Sequence, residues 1–311
     1  MLKIIAKQRK TNFLTPSGLR CLAGLPTVNI TAGCSHGCVY CYTRGYSIYP
    51  GDNVIEIYED MPRRIADEID RKRIKPAAVY FCPSCDPFQS VDQIQQISFE
   101  VMKILLEQNI GVQFVTKGEI REDILGLLGK YANLVCGQFG ITCVDDNIRQ
   151  IVEPKTATVT KKLSQLKHLI DMGVAMCIRC DPLIYELTDG NDQLEQLFAE
   201  TTKAGCREAA ISYLFLRPGI IKSLRANIKN TKLLQRILEP YCHGEQLTVG
   251  LKNSRGTMLP INIRKARFER ITQMAEKHGI KVHICGCKNN DITHEFCHII
   301  RRPEEPKDLF V

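Results

Sequence analysis

Gly33-Cys34-Ser35-His36-Gly37-Cys38-Val39-Tyr40-Cys41 places three thiols at Cys-x3-Cys-x2-Cys spacing in one short loop. The loop follows an apolar run, Val28 to Thr31, that reads as a strand. Thiolates so spaced can hold three irons of an iron–sulfur cubane and leave the fourth without a protein ligand. An open coordination position is what a metal needs to bind and activate a small molecule. The plainer readings are a zinc loop or three buried thiols. Zinc sites prefer four ligands on paired Cys-x2-Cys arms, and no second arm lies nearby.

Outward from that loop the chain alternates. Met61, Ile65 and Ile69 recur at helical spacing, and Pro76 closes that helix. Ala77 to Cys82 reads as a strand ending at Pro83, and Ile94, Ile97, Val101 and Ile104 form the next helical stripe. Val112 to Thr116 is a strand, Ile120 to Leu128 a short helix, and Leu134 to Thr142 a strand. Leu163, Leu166 and Ile170 line a helix that Gly173 stops as a C′ glycine. Val174 to Arg179 is a strand, and Leu194, Leu197 and Phe198 mark a helix stopped at Gly205. Ala209 to Leu216 is a sixth strand, ended by Pro218. Six strand-then-helix units imply a parallel sheet with right-handed crossovers and reactive groups at the C-terminal strand ends. Further on, Phe268, Ile271 and Ala275 give another stripe, and Ile280, Val282 and Ile284 alternate as a strand. That tail reads as a smaller appended unit.

A chain of 311 residues suits two domains or one large α/β barrel. The divisions expected are an N-terminal extension over 1–27, a core barrel over 28–235 and a C-terminal extension over 236–311. Hydrophobic residues at 44% and charged residues at 24% exclude disordered and collagen-like chains. No apolar run reaches the roughly 18 residues of a membrane span, and the N-terminus has no apolar signal region, so the expectation is a cytoplasmic protein with no membrane partner. Forty-two basic against thirty-four acidic residues give +8, which permits an anionic partner such as nucleic acid without requiring one. Fifteen cysteines, an odd number, in a chain without an export signal point to metal ligands or catalytic thiols ahead of disulfides.

The cysteine loop, with the aromatic Tyr40 just before its third cysteine, resembles the signature of the radical S-adenosylmethionine superfamily. The resemblance implies a [4Fe-4S] cluster on Cys34, Cys38 and Cys41 whose open iron chelates S-adenosylmethionine. One electron then cleaves the sulfonium to a 5′-deoxyadenosyl radical. A flavodoxin or ferredoxin is the electron donor that such chemistry implies. Asn29 through Cys41, Phe114-Val115-Thr116-Lys117, Glu153-Pro154 with Thr156, and Asp181-Pro182-Leu183-Ile184 are similar to spore photoproduct lyase and its relatives, over about residues 28 to 220. The implied fold is α/β, a partial (β/α)6 TIM-like barrel with a small cysteine-containing C-terminal extension.

By the same resemblance, Tyr40, Ser84, Lys117 and Thr142 stand as cofactor contacts, with Lys117 a point charge for a carboxylate. Arg179 ends the fifth strand with Asp181 facing the same mouth and is a further candidate contact, the plainer reading of the two being a structural ion pair. In Phe81-Cys82-Pro83-Ser84-Cys85, either Cys82 or Cys85 could return a hydrogen atom to a product radical. The Cys-x2-Cys spacing also suits a redox pair, a metal site or a structural pair. The implied activity is hydrogen abstraction from a substrate in nucleic-acid repair or modification. Its rivals are a radical enzyme with an auxiliary cluster acting on a peptide or small molecule, and a non-enzymatic iron–sulfur or zinc protein that binds nucleic acid.

The tail departs from the lyase. Cys285-Gly286-Cys287 and the distant Cys297 suit a second iron–sulfur cluster or a zinc site, which His283, His294 or His298 could complete. Cys177 and Cys180 lie three apart on a strand, so their side chains face opposite ways and read as core or mouth residues. The basic residues Arg63, Arg64, Arg71, Lys72, Arg73 and Lys75, interleaved with Asp67, Glu68 and Asp70, read as a salt-bridged helix surface.

Overall fold

The computed structural model describes residues 1–249 and 254–295. Its strands are β1 (Lys3–Lys7), β2 (Thr15–Pro16), β3 (Pro26–Val28), β4 (Thr31–Ala32), β5 (Val54–Tyr58), β6 (Ala78–Phe81), β7 (Gly111–Thr116), β8 (Val135–Gly140), β9 (Ala175–Leu183), β10 (Glu208–Tyr213), β11 (Gln246–Thr248), β12 (Arg255–Thr257) and β13 (Lys281–Ile284). Its helices are α1 (Met61–Asp70), α2 (Asp92–Glu107), α3 (Glu122–Lys130), α4 (Asp146–Val152), α5 (Val159–Asp171), α6 (Asn191–Lys203), α7 (Pro218–Asn227), α8 (Thr231–Leu238) and α9 (Ile261–Lys277).

One sheet runs β13-β10-β9-β8-β7-β6-β3-β2, and every neighbouring pair is parallel except β2 with β3. Strands β3 and β6 to β10 form the partial (β/α)6 barrel that the alternation predicts. Every residue of β8 is buried, as a parallel strand covered on both faces must be. The crossover helices close one side: α1 buries Met61, Ile65 and Ile69, and α2 buries Ile94, Val101 and Leu105. In α5 the buried face runs through Val159, Lys162, Leu166 and Leu169, so Leu163 and Ile170 of the expected stripe lie on its margins.

The run Val28 to Thr31 does not form one strand. β3 ends at Val28, and Thr31 and Ala32 pair instead with β5 in a three-stranded sheet that β1 completes. Asn29 marks the break: its Oδ1 accepts the Ser84 amide at 2.9 Å, while Ile30 turns fully into the core. The basic helix α1 also does more than pair along its own surface. Arg63 approaches Asp60 and Asp67, but Arg64 donates to the Thr11 carbonyl, and Glu68 accepts from the amides of Phe13 and Leu14. The helix thereby pins the N-terminal segment against the barrel.

In the tail, β13 hydrogen-bonds to β10 from Lys281 opposite Glu208 to Ile284 opposite Ile211, so it continues the barrel sheet as an edge strand. Arg264 on α9, with no exposed surface, donates to the Leu259 carbonyl at 2.7 Å and to Asn289 and Asp291. No helix among the described residues is long and apolar enough to cross a membrane.

Candidate active site

The loop that carries the three thiols is shaped by two glycines in the left-handed region, Gly33 at φ +84° and Gly37 at φ +66°. At Gly33 a β-carbon would stand 2.3 Å from the Val54 carbonyl oxygen, so both conformation and space require glycine. Cys34, Cys38 and Cys41 are all free and half-buried. Burial is the main cause that holds the Cys34 and Cys38 thiols well above the ordinary thiol range.

Among the described residues no three His, Cys, Asp or Glu side chains converge on one point as a single ion would require. A cubane asks for less, because each thiolate binds a different iron. Three free thiols, the only cysteines in the sequence of that loop, fit that group and would leave one iron without a protein ligand.

His36, between the first two thiols, anchors the loop. Its Nε2 lies 3.1 Å from Asp86 Oδ2, and its Nδ1 lies 3.1 Å from the Lys155 carbonyl. Asp86 also accepts from Thr116 Oγ1 at 2.8 Å and from the amides of Lys117 at 2.7 Å and Phe88 at 2.8 Å. Burial works to raise its carboxyl, but His36 and these donors outweigh it and hold the group below its usual range.

Glu153 is the second centre. Its side chain is 1% exposed, and it gathers residues from four segments of the chain. Lys117 Nζ lies 2.7 Å from Oε1, and Lys162 Nζ lies 3.6 Å from Oε2. The hydroxyls of Tyr40 and Thr142 both donate to Oε1, and they stand 3.2 Å from each other. Three of the expected cofactor contacts, Tyr40, Lys117 and Thr142, therefore meet on one carboxylate beside the cysteine loop. Despite burial, the two lysines hold Glu153 ionised far below the usual carboxylate range.

Ser84 follows the end of β6 and donates its amide to Asn29 Oδ1 at 2.9 Å. Arg179 pairs with a different carboxylate: it ion-pairs with Asp181 at 2.8 Å and donates to Gln138 at 3.0 Å. Lys288, from the turn after β13, reaches the same Asp181.

Cys82 and Cys85 close β6. Cys82 is 5% exposed and sits at φ +55°, and the Cys85 amide donates to its carbonyl at 3.3 Å. Burial and the neighbouring Cys85 push the Cys82 thiol well up. Burial also opposes ionisation of Cys85, but hydrogen bonds from Cys82 and Thr31 prevail and bring it below the usual thiol value.

Cys177 and Cys180 do face different ways, since Cys177 packs beside Ala210 and Cys180 joins the main core. Cys285 is buried and Cys287 half-buried on the turn after β13. Gly286 between them lies so close to the Glu295 carbonyl that a β-carbon would stand 2.5 Å away. His283 pairs with Glu208 at 3.0 Å. Cys297 and His298 lie outside the described residues.

Sequence reasoning missed Glu153, Lys162, Asp86 and His36 as site residues. A lysine on the apolar face of α5 was a readable signal for Lys162, because lysine is almost never fully buried without a partner. No spacing marks Asp86, whose partners His36, Thr116 and the Lys117 amide come from distant parts of the chain.

The model of the radical SAM superfamily matches residues 28–195, more than half of the chain. An uncharacterised protein of Mycobacterium tuberculosis is 23% identical over 272 residues, covering 83% of this chain and 76% of its own length. One from Methanocaldococcus jannaschii is 22% identical over 178 residues, 56% of this chain and 64% of its own. Spore photoproduct lyase complexed with dinucleoside spore photoproduct superposes with a TM-score of 0.69 at 15% identity, over 90% of this chain and 82% of its own. Streptococcus suis SuiB bound to S-adenosylmethionine does so with a TM-score of 0.55 at 10% identity, over 83% and 49%. At these identities the structural likenesses are likenesses of fold.

Proposed function

The chain belongs to the radical S-adenosylmethionine superfamily, and from that premise we propose that it abstracts hydrogen from a nucleic-acid substrate at the C-terminal mouth of its barrel. The observation that carries the reading is the juxtaposition of three free thiols on one loop with the Glu153 network of Tyr40, Lys117 and Thr142. When bound, the [4Fe-4S] cluster and S-adenosylmethionine supply a 5′-deoxyadenosyl radical by one-electron cleavage of the sulfonium.

The chain's own residues hold and shape that chemistry. Cys34, Cys38 and Cys41 would ligate the cluster, and Lys117 would meet the carboxylate of S-adenosylmethionine as a point charge. Burial holds the Cys82 thiol protonated, as a hydrogen-atom donor must be, and it lies two residues before Ser84 just past a strand end. Its thiol would return hydrogen to a product radical, with Cys85 its hydrogen-bonded neighbour. The +8 charge and the lyase-like fold support a nucleic-acid substrate. A flavodoxin or ferredoxin in the cytoplasm would deliver the electron, and Cys285, Cys287 and Cys297 would hold an auxiliary cluster or zinc.

The test is an anaerobic assay of reconstituted, chemically reduced protein. Formation of 5′-deoxyadenosine that disappears when Cys34, Cys38 or Cys41 becomes Ala supports the reading; undiminished cleavage in the triple variant sinks it. Deuterium followed from labelled lesion DNA, undamaged DNA or RNA into 5′-deoxyadenosine identifies the substrate class.

A further inference from the structure

One buried carboxylate needs one cation, and Glu153 has two. Lys117 reaches it at 2.7 Å from the end of β7, and Lys162 at 3.6 Å from the inner face of α5. Their settings differ. The Lys162 side chain is 1% exposed and also donates to the Gly140 carbonyl at 2.9 Å, so it is fixed beneath the strand ends. The Lys117 side chain is 16% exposed, and its only further hydrogen-bond partner through Nζ among the described residues is Thr142 at 3.3 Å. Arg149, another cation nearby, donates to the Glu153 main-chain carbonyl at 3.1 Å, with no hydrogen bond to the carboxylate among the described residues.

We propose that Lys162 is a positioning residue, the resident counter-ion of Glu153, whose presence frees Lys117 to leave that carboxylate for the carboxylate of bound S-adenosylmethionine. The proposal rests on the cofactor reading above. Breaking a buried ion pair by removing one partner is strongly unfavourable, because the other charge is left without compensation. If Lys117 were the only cation on Glu153, turning toward a ligand would impose that cost on every binding event. With Lys162 fixed behind it, Glu153 stays paired while Lys117 moves. Glu153 also keeps the hydroxyls of Tyr40 and Thr142 in place throughout, so the site does not lose its shape when the lysine departs. Burial pulls the Lys162 ammonium below its usual value and Glu153 acts against that pull, as expected of a cation kept for its partner.

The experiment measures equilibrium binding of S-adenosylmethionine, and separately of S-adenosylhomocysteine, to the cluster-loaded protein by calorimetry, with iron content and circular dichroism as controls for loading and folding. Lys162→Met should weaken binding about tenfold or more, because Lys117 is then retained by a lone carboxylate. Lys162→Arg should bind within about threefold of the parent. The deciding variant is Lys162→Met combined with Glu153→Gln, which removes the charge that traps Lys117; it should recover most of the lost affinity. Parent-like binding by Lys162→Met, or a double variant no better than the single one, overturns the proposal. If Lys162→Met does not fold, Lys162→Gln with and without Glu153→Gln provides the same comparison. A parent protein that binds no S-adenosylmethionine would instead sink the cofactor reading itself, a distinguishable result.

Discussion

His36 Nε2 stands 3.1 Å from Asp86 Oδ2, a contact that ties the cysteine loop to the segment joining β6 to α2. The carboxylate is also the acceptor for Thr116 Oγ1 and for the amides of Lys117 and Phe88. One buried side chain thus fixes the thiol loop and the lysine beside it in a common frame.

Asp86→Ala should therefore cost about 3 kcal/mol or more, since it strands several buried donors at once. Asp86→Asn, which keeps an acceptor oxygen, should cost less. Urea unfolding gives the stability, and iron per chain after reconstitution gives the effect on the loop. Normal iron content in the Ala variant would show that the loop does not depend on this anchor.

The buried carboxylates also set an acid limit. Glu153 is held far below its ordinary range, and Asp181 is brought down to about 2 by Lys288 and Arg179 against the effect of burial. A depressed folded-state value stabilises above the unfolded value, near 4, and that stabilisation is lost as pH falls toward the folded value. The Asp181 share is about 2 kcal/mol at neutral pH. Melting temperature should fall steeply below about pH 4, and Asp181→Asn should flatten that slope. A variant with the parental slope would refute the assignment.

The sequence made the barrel legible because its signals are local. Apolar runs, the stop at Gly173 and the Pro after Cys82 each act within a few residues. The three thiols were legible for the same reason. Glu153 was visible only as part of a resemblance, because its role depends on side chains from the segments after β7 and β8, from α5 and from the cysteine loop, which no spacing connects. The expected strand Val28 to Thr31 failed at Asn29, whose side chain serves the amide of Ser84, 55 residues away. Periodicity cannot report a bond of that kind.

Gly33 tests the cysteine loop by sterics alone. An Ala there must adopt φ +84° and place its β-carbon 2.3 Å from a strand carbonyl. A strained left-handed residue costs about 1–3 kcal/mol, and the backbone clash adds to it. Gly33→Ala should lower both stability and iron loading, whereas Gly24→Ala, also at positive φ but with nothing within 4 Å, should lower stability less and leave iron loading intact. Equal iron loading in the two variants would contradict the steric account.

Cys82 and Cys85 are separable by what each replacement leaves intact. Neither thiol belongs to the cysteine loop, so Cys82→Ala and Cys85→Ala should both still form 5′-deoxyadenosine. If Cys82 is the hydrogen donor proposed above, Cys82→Ala should change the product mixture. Cys85→Ala should then change it less, because the Cys82 thiol remains. Chromatography of products in deuterated buffer distinguishes the two, and identical products from parent and Cys82→Ala would remove the donor role.

Arg264 decides whether the tail is integral to the barrel. Its guanidinium is fully buried, yet it serves partners on both sides of β13: the Leu259 carbonyl, Glu245, Asn289 and Asp291. Arg264→Met keeps much of the volume and removes every one of these bonds, leaving two carboxylates, an amide oxygen and a main-chain carbonyl without their donor. Loss of one partner from a buried pair costs about 3–5 kcal/mol, reduced here because Asp291 is 21% exposed. The expected result is a protein about 2–3 kcal/mol less stable, with faster amide exchange in β13 and the turn that bears Cys285, Cys287 and Lys288. Lys288 reaches Asp181 from that turn, so loosening it should also raise the Asp181 carboxyl toward its ordinary value. Exchange faster across β13 but unchanged at Asp181 would mean that the tail and the mouth are held independently.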